Sequence, residues 1–309
     1  MPRSATVPPT PPAPLARPAR SRADLRWSLH LTARSSIAHG GETRGTITLL
    51  RREAVMTVPG SLLQIPIISG NSLRGRLRRV GEELLRDELC YEGTLSSSAA
   101  HALRGGGALA KVSGEPLSGN RLQRVRTFVP LIGVFGAAAG GCIIDGALSV
   151  GKVVPHLQET AHITGVASSV SAFQAVQLES YTRLDDGDSH AFFDVLPAAA
   201  LELGPDGTPG VRPETSSRQM IFQVETFPAG TEFSTWLQLR RPSDIEASFL
   251  ADILGEYSRH ATLGGRSAIG HGQVNITART DSGHTDPLLW RKWVRKHRSE
   301  TIDALNYLT

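Results

Sequence analysis

The chain has 309 residues, 40 % of them hydrophobic and 20 % charged, and its 33 basic and 29 acidic side chains leave a net charge of +4. That length and apolar content suit one large domain or two small ones with a packed core and exclude wholesale disorder, and no run of about eighteen apolar residues offers a membrane span. Two cysteines, Cys90 and Cys142, build neither a disulfide framework nor a Cys-rich zinc site, so a reducing, cytoplasmic setting is expected. Residues 1–24 are rich in Pro, Ala and Arg, lack the apolar core of a secretory signal, and are expected as a disordered tail. This tail holds Arg3, Arg17, Arg20 and Arg22 with no acid before Asp24, so the rest of the chain is neutral. The pI near 9.4 is then no sign of nucleic-acid binding by itself; local patches have to carry that case.

Residues 25–32 alternate as a half-buried strand, a Gly- and Ser-containing loop runs from 35 to 44, a β-rich run covers 45–50, and Pro59-Gly60 marks a turn. Asn71 or Ser72 can cap a helix reaching Leu89, with Leu73, Leu77, Val80 and Leu84 on one stripe. The Ser-, Gly- and Ala-rich stretch 92–120 reads as a mobile insertion, and residues 127–135 and 142–154 as buried β-rich segments around the Gly/Ala turn at 136–141. Residues 156–215 are irregular and too long for an ordinary loop, which points to a projecting subdomain. Residues 220–227 and 231–239, separated by Pro228-Ala229-Gly230, have a β-hairpin pattern. Ser243-Asp244-Ile245-Glu246 is a capping box opening a helix with Ile245, Phe249, Ile253 and Tyr257 on one face. A last strand at 272–280 follows a glycine-rich turn, and a basic, Trp-containing segment, 288–298, lies in the final stretch 284–309. In order, these elements approach a βαββαβ ferredoxin-like unit of the α+β class with long insertions.

No catalytic set emerges. Gly146-Ala-Leu-Ser-Val-Gly151-Lys152-Val153 lacks the Ser/Thr of a phosphate-binding loop and sits in a β-rich run. The Gly-Asn-Ser-Leu-Arg-Gly and Gly-Arg-Ser-Ala-Ile-Gly stretches do not have the spacing of a nucleophile elbow. The ten histidines form no HxxxH or HExxH pair, so neither a metal nor another cofactor is expected. Asp185-Asp186-Gly187-Asp188 suits either a divalent ion or a polar turn.

Two glycine-basic loops are more informative. In the first, Ser69-Gly70-Asn71-Ser72-Leu73-Arg74-Gly75-Arg76-Leu77-Arg78-Arg79, no acid occurs and four arginines crowd six positions. A Gly-Asn-Ser turn feeding a helix presents free N–H groups and the positive dipole end to an anion, with Arg74 close by. Arg78 and Arg79 also stand four residues before Glu82 and Glu83, where they can simply solvate a helix face. The second loop, Leu263-Gly264-Gly265-Arg266-Ser267-Ala268-Ile269-Gly270-His271-Gly272, suits close approach to a polyanion or a tight helix-to-strand turn equally. Arg121, Arg124 and Arg126, and the interleaved Trp290, Trp293 and basic residues to Arg298, fit base stacking and phosphate contact or a solvated amphipathic helix.

Together these segments resemble the RAMP superfamily, specifically the crRNA-binding backbone subunit of multi-subunit CRISPR effector complexes. Ile68-Ser69-Gly70-Asn71-Ser72-Leu73-Arg74-Gly75 looks like that family's helix start. Val134-Phe135-Gly136 with Gly146-Ala-Leu-Ser-Val resembles its core segment, and Tyr181-Thr182-Arg183 with Phe222-Gln-Val-Glu225-Thr-Phe-Pro228-Ala-Gly230-Thr231-Glu-Phe233 another block. Loop 263–274 is similar to its C-terminal glycine-rich loop. The resemblance implies a ferredoxin-like (RRM-like) palm over 25–283, with fingers at about 87–126 and a thumb at about 156–219. It also implies helical polymerisation of many copies along a guide RNA, other effector subunits as partners, and a target nucleic acid recognised by guide pairing rather than by protein. By motif position, Ser69, Gly70, Asn71, Ser72, Arg74, Arg78, Arg183, Gly264, Gly265, Arg266 and Ser267 become RNA-binding candidates.

Type III backbone subunits carry an aspartate after the first strand that cleaves target RNA. This chain has no Asp between Leu25 and Arg86, which with the Ser-Gly-Asn-Ser variant favours a type IV relative and a prokaryotic, non-catalytic scaffold. Two rivals stay open. One is an endoribonuclease, type III-like or guide-processing, using His39 or Glu42 for acid–base chemistry; the other is a protein-only module whose basic loops meet acidic partners.

Overall fold

Alternation in the first segment becomes strand β1 (Leu25–Ala33), which buries Trp27, Leu29, Leu31 and Ala33 and leaves Arg26, Ser28 and His30 on the other face. The computed structural model describes residues 23–58, 60–107, 117–183, 202–203, 209–210, 220–281 and 285–308; residues 1–22 of the expected tail and most of 184–219, with the Asp185–Asp188 run, lie outside them. Strands β2 (Gly40–Arg44) and β3 (Ile47–Leu50) form a hairpin, as do β4 (Arg52–Met56) and β5 (Leu62–Pro66), with Gly60 between them. Helix α1 (Gly70–Leu89) starts earlier than expected, because Ser69 rather than Asn71 or Ser72 is the N-cap. The stripe Leu73, Leu77 and Leu84 is buried, with Val80 partly so. At Gly81 an added Cβ would lie 2.8 Å from Ile253 Cδ1, so the bare backbone is what admits the neighbouring helix.

The stretch expected to be an insertion without structure contains helix α2 (Ser97–Gly105), which sends Ala99, Ala102 and Leu103 into the same core as α1; residues 108–116 lie outside the described ones. Helices α3 (Gly119–Phe128) and α4 (Pro130–Phe135) replace the β-rich segment expected at 127–135. The run is apolar throughout and every residue of α4 is buried, so its periodicity cannot separate strand from helix. Pro130 at the first helical position and Gly136 at φ +66 bound it. Strands β6 (Ala137–Ala139), β7 (Cys142–Ile144), β8 (Leu148–Val150) and β9 (Val154–Pro155) follow, then a short helix α5 (Ala161–Thr164) and strand β10 (Gln177–Arg183). The two-residue strands β11 (Glu202–Leu203) and β12 (Pro209–Gly210) pair with each other.

Strands β13 (Met220–Thr226) and β14 (Glu232–Leu239) are present, but they do not form the expected hairpin. β13 pairs antiparallel with β10 and parallel with β3, whereas β14 pairs with β1, β8 and β9. The chain changes sheets at Pro228–Gly230, where Phe227 turns inward to meet Phe233 edge-on at 5.1 Å. Helix α6 (Asp244–Arg259) opens with the expected capping box and buries Ile245, Phe249, Ile253 and Tyr257. Strand β15 (Val274–Thr280) completes the central sheet, whose order is β15-β1-β14-β8, with β9 beside β14. Leu29, Leu31 and Leu237 on one side of that sheet share a core with Leu73 and Leu77 of α1 and Phe249 of α6. The architecture is α+β, with helices on one face of a largely antiparallel sheet.

The final stretch is not a loose basic tail. Helices α7 (Leu289–Lys296) and α8 (Arg298–Asn306) dock Trp290, Val294, Ala304 and Leu305 into the core. Trp290 meets Phe249 at 4.8 Å and donates Nε1–H to Asp252, so it is unavailable for stacking on a base. Arg291 and Arg295 pair with Glu88 of α1. Among the described residues no helix is long and apolar enough to cross a membrane.

One guanidinium holds three helices together. Arg78 is 5 % exposed and donates to the carbonyls of Ala102 (2.5 Å), Leu103 (2.6 Å), Gly136 (2.9 Å) and Phe135 (3.4 Å), which end α2 and α4. Burial, and then the neighbouring Arg74 charge, bring its pKa down to about 10, still well above neutrality. Arg78→Met is expected to leave those carbonyls unpaired and lower unfolding free energy by about 3 kcal/mol. Arg78→Lys, which lacks the planar fork, should recover only part of that stability in denaturant titrations.

Candidate nucleic-acid interface

The start of α1 is built against two neighbours. Ser69 adopts extended backbone (φ −66, ψ 141), and its Oγ accepts the Ser72 N–H at 3.4 Å. The Ser69 N–H donates to His39 Nε2 at 3.1 Å. Ile68 and Val153 exchange N–H···O bonds of 3.1 and 2.9 Å, seating the turn on the β8–β9 edge. A Cβ on Gly70 would lie 2.7 Å from the carbonyl oxygens of Val150 and Gly151, so this glycine serves contact within the protein. Asn71 is exposed and Ser72 half-buried in a first turn that carries no acidic side chain. First-turn N–H groups have no helical carbonyl to reach, and they meet here the positive end of the helix dipole.

The four arginines diverge. Arg74 donates to Phe135 O at 2.6 Å and Arg78 is buried behind it, so Arg78 is no surface contact and Arg74 is committed to the end of α4. Burial lowers the pKa of Arg74 as well. Arg76 projects elsewhere, donating to Gly264 O at 3.0 Å and approaching Ser267 Oγ at 3.5 Å. It ties α1 to the second glycine loop, a link that spacing along one helix does not reveal. Arg79 is exposed.

In that second loop Gly264 has φ +78, and an added Cβ would lie 2.3 Å from Ala38 O. The Gly265 N–H donates to the same oxygen at 2.7 Å, and a Cβ on Gly265 would meet that oxygen only at an ordinary contact distance of 3.8 Å. Arg266 is held in the left-handed region at φ +56 and heads a single 3-10 turn, Ser267–Ile269. Its guanidinium lies over two rings, 5.7 Å from that of Tyr181 and 5.4 Å from that of Phe222. Those rings stack at 5.4 Å, 18° from parallel, because β10 and β13 place Tyr181 opposite Phe222. Arg183 ends β10 opposite Met220, and its side chain lies outside what the structure describes.

Beneath the aromatic pair runs a polar chain. Tyr181 OH meets His271 Nε2 at 2.5 Å and donates to Glu179 at 2.9 Å, while His271 Nδ1 lies 2.9 Å from Ser36 Oγ. Burial alone would raise the Glu179 pKa, but hydrogen bonds from Ser36, Thr226, Tyr181 and Gln177 outweigh it and hold the carboxyl at about 2. Local sequence patterns do not assign these roles to Tyr181, Phe222, Arg76 and His271, since each gains its role from a partner at least 40 residues away.

Residues 36–39 join the two loops. Ser36 O accepts from Gly272 N–H at 2.8 Å, Ala38 O from Gly265 N–H, and His39 Nε2 from Ser69 N–H. The first loop and Gly264 to Ser267 therefore face one another across a short extended segment, whereas Arg74 and Arg78 turn away. Glu42, the other acid–base candidate, is exposed and paired with Arg44 at 2.6 Å. Among the described residues no three His, Cys, Asp or Glu side chains converge to hold a metal ion.

The RAMP superfamily model matches residues 30–275. Among solved structures, the chain is similar to one from a "Type IV-B CRISPR Complex", with 32 % identity over 85 % of this chain and 97 % of that one and a TM-score of 0.58. It also matches Thermofilum pendens Csc2 at 15 % identity, over 92 % and 82 % of the two chains, with a TM-score of 0.41. No curated protein matches.

Burial, and then the Arg51 charge, lower the pKa of His39 below 6.5, as an imidazole accepting an N–H should behave. An unfolded histidine takes up a proton near pH 6.5 and this one resists, so its contribution is whole above pH 6.5 and diminishes as pH falls through the folded pKa. Chemical denaturation at pH 8 and at pH 5.5 should therefore show an acid loss of stability that His39→Gln, whose amide oxygen still accepts from Ser69, reduces.

Proposed function

The chain belongs to the RAMP superfamily, and from that premise we propose that it is a crRNA-binding backbone subunit of a type IV-like CRISPR ribonucleoprotein. In this reading it acts in the prokaryotic cytoplasm as a non-catalytic scaffold. Many copies polymerise along the guide, beside other effector subunits, and leave its bases available for pairing with a target. The observation that carries the proposal is the joining of the α1 start to the glycine loop through residues 36–39, with Arg76 bridging α1 to Gly264 and Arg266 carried on the loop itself. Such a surface offers helix-start N–H groups, glycine backbone and guanidinium to phosphates and reads no base edges, as a guide holder requires.

We read the β15-β1-β14-β8 sheet as the ferredoxin-like palm, because the chain visits it in the order strand, helix, strand, strand, helix, strand. The insertions at about 87–126 and 156–219 would then be fingers and thumb. Such a thumb would leave and rejoin the rest of the chain at β10 and β13, beside the Tyr181–Phe222–Arg266 stack. The similarity to a chain of a Type IV-B CRISPR complex supports the choice of type. Against a nuclease role stands the geometry of His39, whose Nε2 lone pair is occupied by the Ser69 N–H.

Protein purified from cells should carry nucleic acid, absorb strongly at 260 nm, and elute as a large species that shrinks on RNase treatment. Elution unchanged by RNase would point instead to a protein-only assembly. Arg266→Glu should weaken binding to a labelled single-stranded RNA and lower the slope of log affinity against log salt by about 0.7 for each phosphate that is no longer neutralised. Labelled RNA incubated with protein and Mg²⁺ should stay intact; cleavage abolished by His39→Ala would overturn the non-catalytic part of the proposal.

A further inference from the structure

The central sheet has a second face that the guide-binding surface does not use. Helices α1 and α6 cover one side, and on the other β1 and β14 present Arg26, Ser28, His30, Ser234, Trp236 and Gln238. Pairing sets these in rows: Trp236, Ser28 and Arg279 cross the sheet in one, and Ser234, His30 and Thr277 in the next. The two central strands thus each offer a ring, Trp236 and His30, on neighbouring rows. Trp236 is 37 % exposed, a large fraction for an indole inside a sheet, and the Arg26 guanidinium sits 5.6 Å from its ring centroid. A cavity of about 610 Å³ opens over this pair, walled by Val150, Val154 and Ile163.

We propose that this face is a second nucleic-acid site, where an unpaired base of a single strand stacks on Trp236 and its phosphate lies toward Arg26 and Arg279. The occupant follows from the side chains. An aromatic plane with an adjoining cation, ringed by hydroxyls and imidazole, matches the flat base, charged backbone and polar edges of a single strand. A second protein copy would instead need an apolar patch broader than the Val150, Val154 and Ile163 wall, and the exposed positions of β1 here are polar or charged. The volume suits one nucleobase with part of its ribose. Gly151 explains why the indole lies open in this orientation. Its carbonyl backs Gly70 at the start of α1, and a Cβ on it would fall 2.6 Å from Trp236 Nε1. The two sites therefore lie on either side of the connection between β8 and β9. Because the second site uses other residues on the opposite face, it stands whether or not the guide-binding reading holds.

A short oligouridylate carrying 5-iodouridine, photocrosslinked to the full-length protein and mapped by mass spectrometry, tests it. The expected crosslink falls in the peptide containing Trp236. Trp236→Ala should weaken oligouridylate binding about tenfold with the salt slope unchanged, Trp236→Phe should retain most of it, and Arg26→Glu should weaken it as well. Arg266→Glu should leave the Trp236 crosslink in place, which separates this site from the guide surface. Crosslinks confined to residues 69–76 and 263–273, with Trp236→Ala binding within about twofold of wild type, would overturn the proposal. So would a Trp236→Ala variant that binds oligouridylate normally but sediments as smaller assemblies, since the face would then be a contact between copies.

Discussion

The surface formed by the α1 start and the glycine loop depends on a backbone segment of four residues. Residues 36–39, just beyond β1, commit two carbonyls and one imidazole to two distant loops, accepting from Gly272, Gly265 and Ser69. The distances leave little slack, since Gly264 has no room for a Cβ above Ala38 O. Neither loop could be placed by its own sequence, because glycines supply freedom and not direction. What turns two permissive loops into one surface is a strand end that offers acceptors at a fixed spacing. A buried acceptor of this kind costs free energy unless it is paired, so the loops are held by the same requirement that keeps any interior polar group satisfied.

The arginines show how a charge cluster is sorted by helix geometry. Along α1, Arg74 and Arg78 are four residues apart and share a face, the one turned toward the ends of α2 and α4. There they find carbonyls that have no helical partner, so the positive charge is taken up by main-chain dipoles with no carboxylate involved. Arg76 lies on another face and reaches the glycine loop. Of the four arginines, three are committed to contacts within the protein and Arg79 alone is exposed. The pair expected between Arg78 and Glu82 does not form, and Glu82 is bonded by Arg104 and Tyr91.

The same division runs through the aromatic residues. Trp290 and Trp293, in a basic run at the end of the chain, suggest stacking on bases, yet Trp290 is sealed between α6 and α7. Tyr181 and Phe222, separated by 40 residues of sequence, are the pair that meets a guanidinium. Proximity along the chain is a poor guide here, because the pairing of two strands brings their residues together whatever the length of chain between them.

Local chemistry determined a good part of this protein from the sequence alone. The alternation of β1, the leucine stripe of α1 and the capping box of α6 are patterns whose period or hydrogen-bond pairing lies within a few residues. Residues 127–135 escaped, since a fully apolar run has no face to reveal its period, and so did the sheet change at Pro228–Gly230, since a turn between two strands does not state which partners they take. The ordered family blocks pointed to the superfamily while leaving open which of their residues were exposed. Tertiary structure alone decided that Arg78 is interior, that Arg76 reaches the glycine loop while Arg266 lies over Tyr181 and Phe222, and that Trp236 faces outward. Those outcomes depend on where carbonyls and strands from remote segments come to rest, and no local pattern contains that information.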